Sequence, residues 1–135
     1  VKTHIIHLFT VDDLHYLHNG GRLSKSAAVL GSIINIKPIL FVNNNGELKL
    51  TDKVRGRKKS LLYLISKTIS DISPQGKDIV MISHCDCEED AMYIYSHLKE
   101  NIDIKEIMVN QIGPTIGSHS GPGTLAVYYE SAKRE

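Results

Sequence analysis

The chain has 135 residues, 41% hydrophobic and 23% charged, which is the balance of one ordinary globular domain and not of a disordered or fibrous chain. Sixteen basic against fifteen acidic residues leave a formal net charge of +1, which argues against a general nucleic-acid binder. No apolar run approaches the ~18 residues of a membrane span, and His4 and His7 interrupt the first apolar stretch, so it does not read as a signal peptide.

Residues 3–11 are β-branched and apolar without a helical period, which predicts a buried strand. Thr10 and Asp12 are placed to cap a short helix over 12–18 that stops at Asn19-Gly20-Gly21. Ser24 is the expected N-cap of a second helix over 25–33. Pro38 turns the chain to a strand over 39–42, and Asn43-Asn44-Asn45-Gly46 predicts a turn into a return strand over 47–54. Leu61, Leu62, Ile65 and Ile69 recur at helical spacing within 58–70, and Ser73-Pro74-Gln75-Gly76 ends that helix.

A strand over 78–83, a helix over 87–99 and a strand over 103–111 permit a βαβ crossover, and a last strand covers 124–129. The hairpin adds antiparallel pairing, so the fold class expected is α/β: a mixed β-sheet of about six strands covered by helices.

Residues 112–123 hold four glycines and two prolines around Ser118-His119-Ser120. Two readings fit. One is a tight hairpin connection with an incidental histidine; the other is a shaped loop that presents His119 from a rigid scaffold. The glycines match neither the Walker loop nor the dinucleotide fingerprint. Exposed backbone amides with Ser118, His119 and Ser120 suit a carboxylate or phosphate oxygen. A nucleophilic triad would need an orienting carboxylate, to which no signature points.

Lys53, Arg55, Arg57, Lys58 and Lys59 cluster where a strand ends and a helix begins. Basic side chains there oppose the helix dipole, so the cluster is either a solvated edge or the seat of an anionic partner. Asn19-Gly20-Gly21 presents Arg22, which is either a surface residue at a helix stop or a bidentate anion ligand, and Lys37 is open to the same two readings. Cys85 and Cys87 are too close for an ordinary disulfide and match no common zinc spacing. Free thiols fit a reducing cytoplasm.

Five motifs in this order resemble the C-terminal part of the DegV family of bacterial fatty-acid-binding proteins: Asp12-Asp13-Leu14 with Tyr16-Leu17; Gly20-Gly21-Arg22-Leu23-Ser24; Asn35-Ile36-Lys37-Pro38-Ile39-Leu40; Lys53-Val54-Arg55-Gly56-Arg57-Lys58-Lys59; and residues 112–123. The resemblance covers nearly the whole chain. It implies that residues 1–135 form a single α/β domain, the C-terminal lobe of a two-domain protein whose N-terminal lobe is absent, in keeping with a start at Val1 and not Met.

The resemblance further implies a long-chain fatty acid held non-covalently, its carboxylate near the domain junction and presented to a fatty acid kinase for acyl-phosphate formation, which feeds phospholipid synthesis. His119 matches the family's carboxylate network, with Gly117, Ser118 and Ser120 beside it in the same motif. Arg22 and Arg55 match arginines near the junction, where they hold structure or contact the kinase, and Lys37 is grouped with them. No catalytic residue, metal ligand or cofactor other than the bound fatty acid is expected, nor any nucleic-acid partner.

Each buried methylene contributes about 0.8 kcal/mol, so a sixteen-carbon tail offers on the order of 10 kcal/mol before association costs. Two rivals stand beside the carrier: an enzyme on a small anionic metabolite with His119 as acid–base and Arg22 or Arg55 as clamps, and a dimerisation or regulatory domain.

Overall fold

Continuous apolar runs become the central strands, and runs carrying charge become the edges. The computed structural model describes residues 4–12, 36–113 and 120–131. Its strands are β1 (Ile5–Thr10), β2 (Ile36–Val42), β3 (Leu48–Arg55), β4 (Ile79–His84), β5 (Glu106–Gln111) and β6 (Leu125–Glu130), with helices α1 (Arg57–Asp71) and α2 (Glu88–Asn101). They form one six-stranded mixed sheet in the order β3-β2-β1-β6-β4-β5. Only β4 and β5 pair in parallel, joined through α2 as the βαβ order predicts. The two helices expected over 12–18 and 25–33 lie outside the described residues.

One apolar layer fills the space between the sheet and the two helices. Leu8, Ile39, Val80, Ile82, Leu125 and Val127 of the strands meet Leu61, Leu64 and Ile65 of α1 and Ala91, Ile94 and Leu98 of α2. A smaller cluster, Phe9, Val11, Leu40 and Ala126, is a separate group. The edge strands β3 and β5 bury little, and β3 carries Lys49, Asp52, Lys53 and Arg55, charges that discourage further strand pairing. No helix among the described residues is long and apolar enough to cross a membrane.

Three local readings change. Pro38 lies inside β2, not ahead of it; it pairs with Lys53, beyond the end of β1 pairing at Ile39, so its missing N–H interrupts no ladder on that side. Thr10, placed as a cap of the helix over 12–18 that lies outside the described residues, is buried at the end of β1, where its hydroxyl donates to the Pro38 carbonyl at 2.7 Å. In α1, Leu61 and Ile65 are buried, but Leu62 and Ile69 face solvent. Ser60, Leu64 and Thr68 complete the inner face, the two hydroxyls donating to the Arg57 and Leu64 carbonyls. Last, β5 begins at Glu106, three residues later than expected.

The turn after β2 follows from one side chain. Asn43 Oδ1 accepts the backbone N–H groups of Asn45 and Glu47, both at 2.9 Å, and Gly46 takes a positive φ of 79°.

Candidate functional site at one edge of the sheet

Strand direction decides which residues can meet. β1, β3, β4 and β5 all run the same way, since β1 and β4 are each antiparallel to β6 and β3 is twice reversed from β1. Their C-terminal ends therefore share one edge, the usual place for ligands in open α/β sheets. That edge gathers Asp12 after β1, Arg55 at the end of β3 with Arg57 beyond it, His84 at the end of β4 with residues 85–87 beyond it, and Ile112 after β5. The starts of β2 and β6 bring Lys37 and Gly123 to it.

The loop after β5 is not a tight hairpin. β4 lies between β5 and β6, so residues 113–123 connect strands on opposite sides of it. The Ile112 N–H donates to the His84 carbonyl at 2.7 Å on one side. On the other, the Gly123 N–H donates to the Cys85 carbonyl at 2.8 Å and the Cys85 N–H donates to the Thr124 carbonyl at 2.9 Å. His84 is buried, and its Nδ1 accepts the Cys87 N–H at 3.2 Å, which assigns the ring proton to Nε2 and ties the strand end to the start of α2. Both ends of the connection are anchored and the hairpin reading is overturned; the loop's interior, 114–119, lies outside the described residues.

Arg57 is the first residue of α1 and the centre of a charged node. Its Nε donates to Asp90 Oδ2 at 2.9 Å and its Nη1 to Asp12 Oδ1 at 3.1 Å, while Nη2 is buried and has no hydrogen-bond partner among the described residues. Lys37 Nζ stands 3.8 Å from the same Asp12 oxygen, a looser ion pair. A cation in the first turn of α1 opposes that helix dipole, and the two carboxylates offset the conflict. Asp90, in the first turn of α2, is in turn well placed against its own helix.

Asp12, Arg57, Asp86, Cys87, Glu88, Glu89, Asp90, Pro122 and Gly123 line a concavity of about 570 Å³. Five carboxylates against one guanidinium make this wall hostile to an anion. Burial pushes both cysteine thiols up, Cys87 despite the opposing pull of Arg57, so neither is poised as a thiolate nucleophile. Among the described residues no group of His, Cys, Asp and Glu could hold a metal ion.

Of the residues singled out from the sequence, Gly117, Ser118, His119 and Arg22 lie outside the described residues. The residues that bracket them do not: 12 and 36 on either side of Arg22, and 113 and 120 on either side of His119, all belong to this edge. Ser120 is buried at the foot of the loop, where Thr124 Oγ1 donates to the Gly121 carbonyl at 2.8 Å. Arg55 is exposed at the end of β3, and Lys37 leans on Asp12. The basic cluster thus divides: Arg55, Lys58 and Lys59 face solvent, whereas Arg57 turns inward. Sequence reasoning passed over Asp12 as a salt-bridge partner and Asp90. An acid directly after a buried strand was the available signal for the first.

Comparison with known proteins agrees with this architecture. A family model described as "Uncharacterised protein, DegV family" matches residues 1–132. A DegV domain-containing protein of Clostridium perfringens is 42% identical over 134 residues, which are 99% of this chain and 46% of that protein. The fatty acid binding DegV family protein of Streptococcus agalactiae superposes with a TM-score of 0.79 at 29% identity, over 96% of this chain and 45% of that one. The Streptococcus pneumoniae fatty acid kinase B3 protein, solved with linoleic acid, gives a TM-score of 0.84 at 21% identity over 94% of this chain and 44% of that one, a likeness of fold. The chain spans about half the length of the relatives it matches. From the match along its length and the shared six-stranded mixed sheet, the chain belongs to the DegV family.

Proposed function

We propose that this chain is the C-terminal lobe of a two-lobed fatty-acid carrier that presents the bound carboxylate to a fatty acid kinase. The observation that carries the reading is the gathering of both ends of the 113–123 loop, with Arg55 and Lys37, at one edge of a DegV-type sheet. The S. agalactiae relative, described as fatty acid binding, supports the ligand class; the S. pneumoniae protein's name supports the kinase.

In this reading the tail lies in apolar surroundings and supplies affinity, while polar donors set orientation. Ser118, His119 and Ser120 donate to the carboxylate, and Gly117 lets the backbone approach closely. A buried carboxylate stays ionised only with several such donors. The phosphoryl group passes from a nucleoside triphosphate on the kinase to a carboxylate oxygen, leaving the diphosphate there and an acyl-phosphate on the carrier. Arg22 and Arg55 face the kinase or the partner lobe. This chain supplies no catalytic group, and it works in the cytoplasm, where Cys85 and Cys87 stay reduced.

The test is extraction of the purified full-length protein into organic solvent, followed by mass spectrometry. A stoichiometric fatty acid is expected. A protein that comes out empty and takes up neither oleate nor palmitate overturns the carrier, leaving the anion-metabolite enzyme in its place.

A further inference from the structure

We infer that the free edge of β5 is an interaction surface for a second copy of this chain, paired antiparallel about Met108 so that two sheets run on as one. β5 ends the sheet on the side beyond β4. Its pairing with β4 is unbroken from Glu106 to Gln111. The opposite edge differs: β3 carries Lys49, Asp52, Lys53 and Arg55, and its pairing with β2 shifts register at Ile39 and Leu40. Charges and bulges are the ordinary guards of an exposed edge. β5 has neither beyond Glu106 at its first position.

The backbone leaves its bonding groups on that side. The Ile112 N–H donates to the His84 carbonyl, so strand alternation turns the even-numbered amides toward β4 and those of Ile107 and Val109 outward. Among the described residues no hydrogen bond engages the outward groups of Ile107 and Val109. Around them the chain reads Lys105-Glu106-Ile107-Met108-Val109-Asn110-Gln111, polar at both ends and apolar between, symmetric about Met108. Laid antiparallel on itself about that centre, Met108 faces Met108, Ile107 faces Val109, Glu106 faces Asn110 and Lys105 faces Gln111. No like charges meet, and every apolar residue meets an apolar one. The neighbouring registers lose this match. Centring on Ile107 sets Glu106 against Met108, and centring on Val109 sets Met108 against Asn110.

Apolar side chains on the face away from α1 and α2 form a row that runs to the same edge. Tyr128, Met81 and Met108 are register neighbours across β6, β4 and β5, and Ile79 lies two residues before Met81 on that face. Met108 is 37% exposed, Met81 36% and Ile79 42%. In the paired arrangement the row continues through Met108 of both copies, while Ile107 and Val109 extend the inner apolar layer across the junction. The two-fold axis stands perpendicular to the sheet. The edge holding Asp12, Lys37 and Arg55 therefore points in opposite directions in the two copies and stays open in both, so the inference stands apart from the carrier reading.

The experiment uses the full-length protein. One strand pair makes a small interface, so mass is followed by sedimentation from about 1 to 300 μM chain. Wild type should reach two copies per particle. Met108→Lys, which sets two cations face to face at an exposed position, should raise the dissociation constant about tenfold or more with its thermal unfolding little changed. Met108→Cys should cross-link on mild oxidation, because non-hydrogen-bonded partners stand about 4.5 Å apart at Cα. Asn110→Cys, about 13 Å from its counterpart in this register, should not. The amides of Ile107 and Val109 should exchange more slowly as wild type is concentrated. If Met108→Lys does not fold, the two cysteine variants decide.

A wild type with one chain per particle throughout overturns the inference, and slow exchange of those two amides in that monomer would mean that the rest of the full-length chain covers the edge. A dimer that Met108→Lys leaves intact overturns it as well. So does cross-linking through Asn110→Cys in preference to Met108→Cys, which would place the contact in another register.

Discussion

The carboxylate of Asp12 occupies the space that a Cβ at Gly123 would need. Gly123 also holds a φ of 88°, a left-handed conformation costly for any residue with a side chain. Gly123→Ala therefore combines backbone strain with displacement of Asp12 from Arg57. We expect a loss of about 2–4 kcal/mol, read from denaturant unfolding. Adding Asp12→Gly to that variant should not restore stability, because the strain in φ remains and Arg57 then lacks one partner. A Gly123→Ala protein as stable as wild type would show that the loop foot yields freely.

Tyr129 ties the far end of β6 to α1: its hydroxyl donates to Asp71 Oδ2 at 2.9 Å. Tyr129→Phe leaves the packing in place and removes that bond, costing about 1–2 kcal/mol. Burial, and then the Asp71 charge, push the Tyr129 phenol far above its ordinary value. Its folded pKa is raised, so its stabilising contribution is whole below the unfolded value near pH ~10 and is lost as pH climbs beyond it. Unfolding midpoints measured from pH 8 to 11 should fall at the alkaline end, and less so in Tyr129→Phe. Identical alkaline profiles would contradict this assignment.

Asn43 organises the β2–β3 turn through an oxygen that accepts two backbone N–H groups, while its amide donates to Glu47 Oε1 at 3.0 Å. Asn43→Ala should cost about 1–2 kcal/mol, with Asn43→Asp recovering part of it, since a carboxylate accepts the same pair but loses the donor to Glu47 and faces its charge. Thermal unfolding of the three proteins settles the order. Equal stability of the alanine and aspartate variants would mean the turn holds without that oxygen.

Both thiols are raised in pKa by burial, Cys87 while bonded to the Thr124 carbonyl. Alkylation by iodoacetamide near pH 7.5 should run about tenfold or more slower on Cys87 than on an unfolded-state cysteine. Rapid labelling of the native protein would place Cys87 in a more open site than its contacts describe.

The strands were legible because they are short apolar or β-branched runs bounded by Gly, Pro and Asn, and local chemistry is written locally. Neighbour relations were not. Residues 106–111 and 125–130 look like the arms of a hairpin, yet β4, from 79–84, lies between them. The inner face of α1 was misjudged for a related reason. Ser60 and Thr68 bury well because their hydroxyls bond back to α1 carbonyls, so a count of apolar residues passes over them in favour of Leu62 and Ile69. The loop with His119, the basic cluster with Arg55, and Arg22 and Lys37 stood out by local composition, and the resemblance suggested their roles. The Arg57 node did not, because its partners are tens of residues away and no periodicity connects them.

The position of β6 has a consequence for how the chain is made. β1, β2 and β3 form one antiparallel group and β4 and β5 a parallel pair, and β6 joins the two, pairing with β1 on one side and β4 on the other. Among the described residues it is also the last strand in chain order. During synthesis, the open edges of β1 and β4 must wait, with their apolar faces in place, for the strand that closes both. A nascent chain stalled before residue 125 is two half-sheets, each offering an unpaired edge to whatever strand arrives first.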